Sequence, residues 1–489
     1  MTTLSKTPTT TDRISFIPSE LLGVIIDLID EPKDLLQLAL ASKHFYTIVV
    51  SDHLYYRHIR CDSRYMDLWS LFQTNFSIAS KIRKLEMVTY TGRARNFLIP
   101  PSFRKKTYGD GGDLVVSDDN HVLQVLREAI GNMKNLHLFS WSEQKSRSWE
   151  GMLELFKTLV ARCTNIQELE IMNANSSEPS NPTFTLDRAL DPVSLPLEHH
   201  VETHPPNNPP YFDKLLQMII FRCKRLKDLY IRSTFGLLNV SVLFLEGHWP
   251  DLRRFGLGGH ISLFPEEVNE ATQSSRMISF WKLHPNLECV LLIPATPFIT
   301  IESGTLPLLR SFSCPIVSEF SVTIPTDVLS HVKHLFIFTQ LNNNVGRIRS
   351  ILRSAMSLTS LVIIHWSGWD LLSVIPTIQR FACFNEDVIL PADGRSRSVL
   401  DMMTSLPHLT HLGGISFEYA EESLVVPELF RFPKLKYVEG LQGRKWTELK
   451  RDAEGKVVQL HTIERNIQDL NWEDWGGDFW GIGVRYSYI

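Results

Sequence analysis

Two groups of residues have side chains that could bind a metal or phosphate. His199, His200 and His204 lie in a proline-rich stretch, and imidazole nitrogens are common metal ligands. No cysteine or carboxylate frame accompanies them, so we interpret them as loop residues. The segment that begins at Gly109, Gly-Asp-Gly-Gly-Asp, suggests a phosphate or calcium loop. It lacks the following lysine and the regular alternation of ligands, so we interpret it as a turn and predict no metal site.

The sequence also lacks the motifs of the common catalytic classes. It has no Gly-x-Ser-x-Gly elbow, no phosphate-binding Walker loop, no His-Glu-x-x-His and no dinucleotide fingerprint. The sequence therefore predicts a protein that is not an enzyme and uses no cofactor.

The composition of the chain limits its possible domain organisation, partners and cellular compartment. A chain of 489 residues with 43% hydrophobic residues suggests two or three domains or one long repeat array. The net charge of -4 gives no basic field over the whole protein, so we expect no nucleic-acid partner. The N-terminal residues lack the apolar core of a secretory signal, and no apolar run is long enough to span a bilayer. Six scattered cysteines make no disulfide framework, so we expect a soluble protein of the cytoplasm, the nucleus or both, without a membrane partner.

Three short helices are predicted near the N-terminus. Pro18 suits a first helical turn, and Asp34 can cap a second helix. Apolar residues recur at helical spacing in both segments: Leu21, Leu22, Ile25, Leu28, Leu35, Leu38 and Leu40. Because so small a helical unit buries few apolar groups, we expect some of them to face a partner.

The order of a proline, paired leucines, Asp-Leu-Leu and Ala-Ser-Lys-x-Phe resembles an F-box, over residues 14–60. Ile17 and Phe45 depart from the usual leucine and tryptophan but keep an apolar group. In F-box proteins this element binds the Skp-family adaptor of SCF-type ubiquitin ligases, and through it the cullin core, while the rest of the chain holds a protein substrate. The resemblance implies adaptor contacts at Pro18, Leu21, Leu22, Ile25, Leu35, Leu38 and Phe45.

A short apolar phrase recurs after residue 80. In Arg225-Leu-Lys-Asp-Leu-Tyr-Ile, apolar residues stand at the second, fifth and seventh places, and similar phrases begin at Asn165, Asp251 and Asn286. Successive phrases lie mostly about 22 to 35 residues apart, and amphipathic helical segments precede many of them. The phrase resembles a leucine-rich repeat. The predicted fold is α/β: a three-helix F-box, then a leucine-rich-repeat solenoid with a curved parallel sheet and outer helices. A doubly wound αβ domain is the alternative.

The predicted domains follow from these patterns. They are a disordered N-terminus (1–13), the F-box (14–60), a degenerate solenoid (61–445) with insertions near 92–120 and 173–210, and an aromatic, acidic C-terminal segment (446–489). That segment contains Trp472, Trp475 and Trp480. It either caps the last repeat, as terminal repeats require, or contributes aromatic anchors to substrate binding.

The side chains between the apolar anchors should line the concave face of such a sheet, because strand side chains alternate. Candidate substrate contacts on that face are Tyr230, Arg232, His334, Phe336, Phe338, Ile364 and Trp366. The lining turns apolar along the chain, so a partner or another segment should cover it. The resemblance implies a substrate-recognition subunit of an SCF-type ligase. The alternative is a non-catalytic repeat scaffold whose helices pack on its own first repeat.

Overall fold

The computed structural model divides the chain into two units. Unit 1 comprises residues 1–142 and 147–166, and unit 2 comprises residues 143–146 and 167–489. The structure describes residues 17–29, 32–63, 65–88, 97–104, 119–143, 149–173, 210–265, 267–294, 298–316, 321–339, 345–364, 373–384, 404–413, 431–439 and 445–464.

Unit 1 begins with three helices and continues with parallel strands. Its helices are α1 (Ser19–Asp27), α2 (Pro32–Ala41), α3 (Lys43–Val49), α4 (Tyr55–Arg57), α5 (Met66–Thr74), α6 (Phe76–Ala79), α7 (Pro101–Arg104), α8 (Asp119–Gly131) and α9 (Trp149–Arg162). Its strands are β1 (His58–Cys61), β2 (Lys84–Val88) and β3 (Leu138–Glu143). β2 lies between β1 and β3 and is parallel to both. Leu85 of β2 and Phe139 of β3 are fully buried, which places one face of these strands in the core.

Unit 2 alternates strands with helices or short turns. Its helices are α10 (Pro210–Arg222), α11 (Ser241–Glu246), α12 (Glu270–Leu283), α13 (Thr326–His331) and α14 (Val345–Ser354). Its strands are β4 (Glu168–Asn173), β5 (Asp228–Asn239), β6 (Arg254–Ser262), β7 (Cys289–Pro294), β8 (Phe298–Thr300), β9 (Ser311–Ile316), β10 (Ser321–Thr323), β11 (His334–Thr339), β12 (Ser360–Ile364), β13 (Arg380–Phe384), β14 (His411–Gly413), β15 (Tyr437–Glu439), β16 (Lys445–Arg451) and β17 (Val457–Glu464).

The main sheet of unit 2 follows chain order from β4 to β17, apart from β8 and β10, which form a separate parallel pair. A doubly wound sheet would reverse its order at a switch point, and this one does not. The α/β class and the mostly parallel, repeat-like sheet are therefore confirmed. After β15 the sheet ends in an antiparallel hairpin of β16 and β17.

The repeated phrase owes its spacing to core packing. In the repeat that contains β5, the three anchors Leu226, Leu229 and Ile231 are all buried. The equivalent first anchors of later repeats are equally buried: Leu252, Leu287, Leu309, Val332, Leu358, Ile378, Leu409 and Leu435. Each buried Leu or Ile side chain stabilises the fold by about 1.5 to 3 kcal/mol, so the phrase marks the core side of every repeat.

A backbone hydrogen-bond relay joins neighbouring repeats where the strands begin. The carbonyl of Lys227 accepts the N–H groups of Arg253 and Arg254, at 2.7 and 3.0 Å. In the same way the carbonyl of Arg310 accepts the N–H groups of Lys333 and His334, at 2.8 and 3.0 Å. Because each relay uses the residue before the strand, it fixes the register of successive repeats.

Parts of the predicted organisation fall outside the described residues. This holds for residues 1–13, for most of the insertions near 92–120 and 173–210, and for Trp472, Trp475 and Trp480. Residues 97–104 are described, and Leu98 pairs with Arg60 of β1 in an antiparallel bridge. Residues 445–464 form the hairpin at the end of the sheet.

A buried histidine in unit 2 makes the stability of the fold depend on pH. The Trp249 backbone N–H donates to His284 Nε2 at 3.1 Å, and His284 Nδ1 lies 2.8 Å from the Phe280 carbonyl. These two contacts require the neutral ring with its proton on Nδ1. The pKa of His284 is lowered from 6.5 to about 4, chiefly by burial. The hydrogen bond to the Phe280 carbonyl opposes this shift, and the charge of His248 adds to it.

We expect wild type to lose stability between pH 6.5 and about 4, by up to about 1.4 kcal/mol per pH unit from His284. Stability falls as the pH falls because the unfolded chain, whose histidine keeps its ordinary pKa, takes up the proton at a higher pH than the folded chain. Urea denaturation of wild type and His284→Gln at several pH values would test this. The variant should show a shallower dependence on pH, and identical slopes would contradict the assignment.

Candidate functional site

The three N-terminal helices form a small core of their own. Leu22 and Ile26 of α1, Leu35 of α2 and Phe45 and Val49 of α3 are buried together. Leu22 and Ile26 stand four residues apart, so they occupy one side of α1. The Ser42 side chain caps α3 by accepting the Phe45 backbone N–H at 3.2 Å. The local sequence thus fixes how α1, α2 and α3 pack.

A second set of apolar side chains on α1 and α2 points away from this core. On α1, Leu21 is 56% exposed and Ile25 47%, and Leu28, just after the helix, is 78% exposed. This set, called here the apolar face, consists of Leu21, Val24, Ile25, Leu28, Leu36 and Leu40. The spacing of three and four residues along α1 gives a continuous stripe. An exposed apolar stripe of this kind is a candidate contact surface for another protein.

The residues predicted to contact an adaptor fall into two groups. Pro18, Leu21 and Ile25 are exposed. Leu22, Leu35 and Phe45 lie in the helical core, and Leu38 is half-buried against it. Substituting a residue of the buried group would destabilise the helical core, so a loss of adaptor binding would not by itself show a lost contact. The sequence interpretation did not select Val24, Leu28, Leu36 or Leu40 as adaptor contacts, although their helical spacing was readable.

Two arginines anchor the C-terminal end of α1 to later parts of unit 1. Arg57 is buried, and its Nη2 donates to the carbonyls of Ile26 and Ile29, both at 2.7 Å. Arg83 Nη2 donates to the Asp27 carbonyl at 3.0 Å. The last carbonyls of a helix have no partner within it, and positive charge there also complements the helix dipole. The two guanidinium groups therefore hold α1 against the rest of unit 1.

Replacing Arg57 by methionine is expected to lower the free energy of unfolding by about 3 kcal/mol. The change keeps an apolar stem but removes charge-assisted hydrogen bonds to two carbonyls, which are worth about 1.5 to 3 kcal/mol each. Thermal and urea denaturation would measure the loss. Arg162→Met changes an exposed arginine of the same unit and should stay within about 0.5 kcal/mol of wild type. An equal effect of the two substitutions would contradict the anchoring role.

The polar part of the predicted substrate face is built around Tyr230. This residue pairs in register with Gly256 of the next strand. A Cβ atom added to Gly256 would lie 2.2 Å from the Tyr230 ring, and one added to Gly258 would lie 2.9 Å from its hydroxyl oxygen. The ring therefore lies across two glycines, and Arg232 beside it is buried. The sequence interpretation selected Tyr230 and Arg232 but not the glycines that accommodate the ring.

Charges near Tyr230 are paired with one another. Arg254 lies between two carboxylates on neighbouring strands: it forms an ion pair with Asp228, and its Nη2 is 3.8 Å from Glu168 Oε2. His334 lies further along the sheet and is half-buried. Its burial, followed by the charges of Arg380 and Lys333, lowers its pKa to about 4.

The described side chains in the apolar part of the predicted face are not open to solvent. Phe336 is almost fully buried and lies in register between Ser313 and Val362. Leu291 and Val362 are buried as well. The strand positions of Phe338 and Ile364 are directly paired, and Trp366 lies outside the described residues. Substrate contact by these residues stays a prediction.

The described residues contain neither a metal-binding cluster nor a membrane-spanning helix. Among the described residues, no group of three or more His, Cys, Asp or Glu side chains could hold a metal ion. His199, His200 and His204, and the segment that begins at Gly109, lie outside those residues. In the part of the chain that the structure describes, none of the helices combines the length and apolar character needed to cross a bilayer.

Comparisons with known proteins bear on the N-terminal helices. Residues 14–61 match the F-box-like family model. The crystal structure of the yeast Rad7 and Elc1 complex aligns with 72% of this chain and 82% of that chain, at 11% identity and a TM-score of 0.34. The crystal structure of a Bacteroides fragilis protein aligns with 58% of this chain and 66% of that chain, at 12% identity and a TM-score of 0.27. A comparison with curated proteins found no match. Residues 14–61, which carry the apolar face, are an F-box-like domain.

Proposed function

We propose that this protein is the substrate-recognition subunit of an SCF-type ubiquitin ligase. In this proposal the F-box-like domain binds a Skp-family adaptor, and through it the cullin core. The observation that carries the proposal is the apolar face of α1 and α2 on a domain that matches the F-box-like family. Burying one Leu or Ile side chain contributes about 1.5 to 3 kcal/mol before the costs of association. The six side chains of the apolar face would supply the apolar centre of such an interface.

The rival function, a scaffold capped by its own N-terminal helices, explains less of the geometry. Such a cap would use its apolar residues against the neighbouring repeat. Here α1 is attached to the rest of unit 1 by hydrogen bonds from Arg57 and Arg83 to its last carbonyls. Leu21, Ile25 and Leu28 are left exposed. The attachment and the apolar face therefore use different parts of the helix.

In the proposed complex the repeats, which we take to be of the leucine-rich type, hold a protein substrate. A receptor of this kind needs no catalytic residue, because it raises the effective concentration of the substrate near the conjugating enzyme. We propose a cytoplasmic or nuclear site of action, where the other ligase subunits work. Tyr230 and Arg232 remain candidates for substrate contact.

Co-purification separates the two functions. The full chain would be co-expressed with a Skp adaptor, and the purified complex would then be mixed with a cullin. The proposal predicts a stoichiometric complex with the adaptor and recruitment of the cullin only when the adaptor is present. A folded chain that does not bind the adaptor would contradict the proposal and favour the scaffold function.

A further inference from the structure

The residue that immediately precedes each of the parallel strands from β4 to β15 of the main sheet in unit 2 belongs to one row. Its members are joined by the backbone relay, so neighbouring members lie about 4.8 Å apart. This strand-start row is rich in cations: Lys227, Arg253, Arg310, Lys333 and Lys436. Glu288 is the one acid among the described members, and the others are Gln or Thr. The row is basic although the whole chain has a net charge of -4.

Among the described residues, no carboxylate neutralises the centre of the row. The Lys333 N–H donates to the Arg310 carbonyl, which makes these two cations direct neighbours. Both side chains are exposed, and no described carboxylate lies within 4 Å of either. Glu288 is engaged elsewhere, since its Oε1 lies 3.9 Å from Arg253 Nη1. Neighbouring like charges repel one another, and an acidic partner would relieve that repulsion.

Neighbouring residues indicate what kind of partner fits. Leu308 is 46% exposed two residues before Arg310, and Met356 is 70% exposed three residues before Thr359, another member of the row. Cations beside exposed aliphatic groups suit a polypeptide that carries both acidic and apolar side chains. Single-stranded nucleic acid would favour aromatic stacking surfaces instead. Burial is the main cause of the lowered pKa of His334, and the charges of Arg380 and Lys333 lower it further, which agrees with positive charge at this edge.

We infer that the strand-start row is a docking surface for an acidic, extended polypeptide segment of another protein. The segment runs across the strands and places its carboxylates on Arg310 and Lys333. The distance from Lys227 to Lys333 covers the steps from β5 to β11, and roughly six residues of extended chain span it. This surface is separate from the F-box-like domain and does not depend on the proposed adaptor contact.

The test measures binding of a fluorescein-labelled peptide, Glu-Ser-Glu-Leu-Glu-Ser-Glu, to the full chain by fluorescence anisotropy without adaptor. Arg310→Glu combined with Lys333→Glu should weaken binding about tenfold. The matched control, Lys214→Glu with Arg353→Glu, makes the same change in net charge at exposed positions of α10 and α14. It should keep the affinity within about twofold of wild type.

Several results would overturn this inference. They are no binding of the peptide to wild type at low salt, an equal loss in both charge-reversal variants, or tighter row-dependent binding of a single-stranded oligonucleotide. Circular dichroism checks the fold of each variant. If the charge reversal disturbs it, Arg310→Gln with Lys333→Gln removes the same contacts without placing new acids on the sheet.

Discussion

Replacing Leu21 and Ile25 together by glutamine is expected to weaken binding of a Skp adaptor about a hundredfold. The two side chains stand four residues apart on the exposed side of α1 and make no part of the helical core. Loss of two apolar anchors from the centre of an interface commonly costs more than 2 kcal/mol, and about 2.7 kcal/mol corresponds to a hundredfold. Isothermal titration calorimetry with the purified adaptor would measure the change.

The fold should survive this substitution, because glutamine is a good helix former. A matched control changes two apolar residues of similar exposure elsewhere, Phe76→Gln with Leu283→Gln, which are 47% and 48% exposed. The control should bind the adaptor as wild type does. Equal loss of affinity in both variants would mean that the apolar face is not the binding site.

Gly259→Ala is expected to cost about 3 kcal/mol or more of folding stability. The glycine has a φ of +76°, in the left-handed region that other residues rarely adopt. An added Cβ would lie 1.9 Å from the carbonyl oxygen of Ser233, which is backbone and cannot rotate away. Strain and steric overlap therefore act together, and urea denaturation monitored by tryptophan fluorescence would record the loss.

Two other glycines of unit 2 separate these causes. Gly304 has a φ of +74° with open space around its Cβ position, so Gly304→Ala should cost only the backbone strain, about 1 to 2 kcal/mol. Gly346 lies in α14 with open space and ordinary helical geometry, so Gly346→Ala should raise stability by up to about 1 kcal/mol. If Gly259→Ala lowered stability no more than Gly304→Ala does, the close contact between β5 and β6 at Gly259 would be contradicted.

The parts of the fold that the sequence predicted well are those set by short-range spacing. Leu226, Leu229 and Ile231 stand at fixed positions of a phrase, and all three are in the core. The helix that begins after Pro18 follows from an equally local rule. Asp34, which was predicted to cap α2, lies instead within its first turn. Spacing alone also gave the α/β class, because helical segments alternate with strand phrases.

What the sequence could not predict depends on contacts between distant residues. α1 is apolar on two sides, and spacing does not say which side packs on α2 and α3. Arg57 lies far along the chain from the carbonyls of Ile26 and Ile29 that it holds. The alternation of side chains along its strand predicts that Phe336 faces outward, yet Phe336 is buried between Ser313 and Val362. Such contacts appear only once the strands are placed side by side.

Hydrogen–deuterium exchange of the full chain, with and without a saturating Skp adaptor, tests the central claim most directly. The proposal predicts slower exchange in peptides from α1 and α2, which carry Leu21, Ile25, Leu36 and Leu40, and unchanged exchange in the strands of unit 2. Exchange that is the same throughout α1 and α2 with and without adaptor would contradict the proposed function.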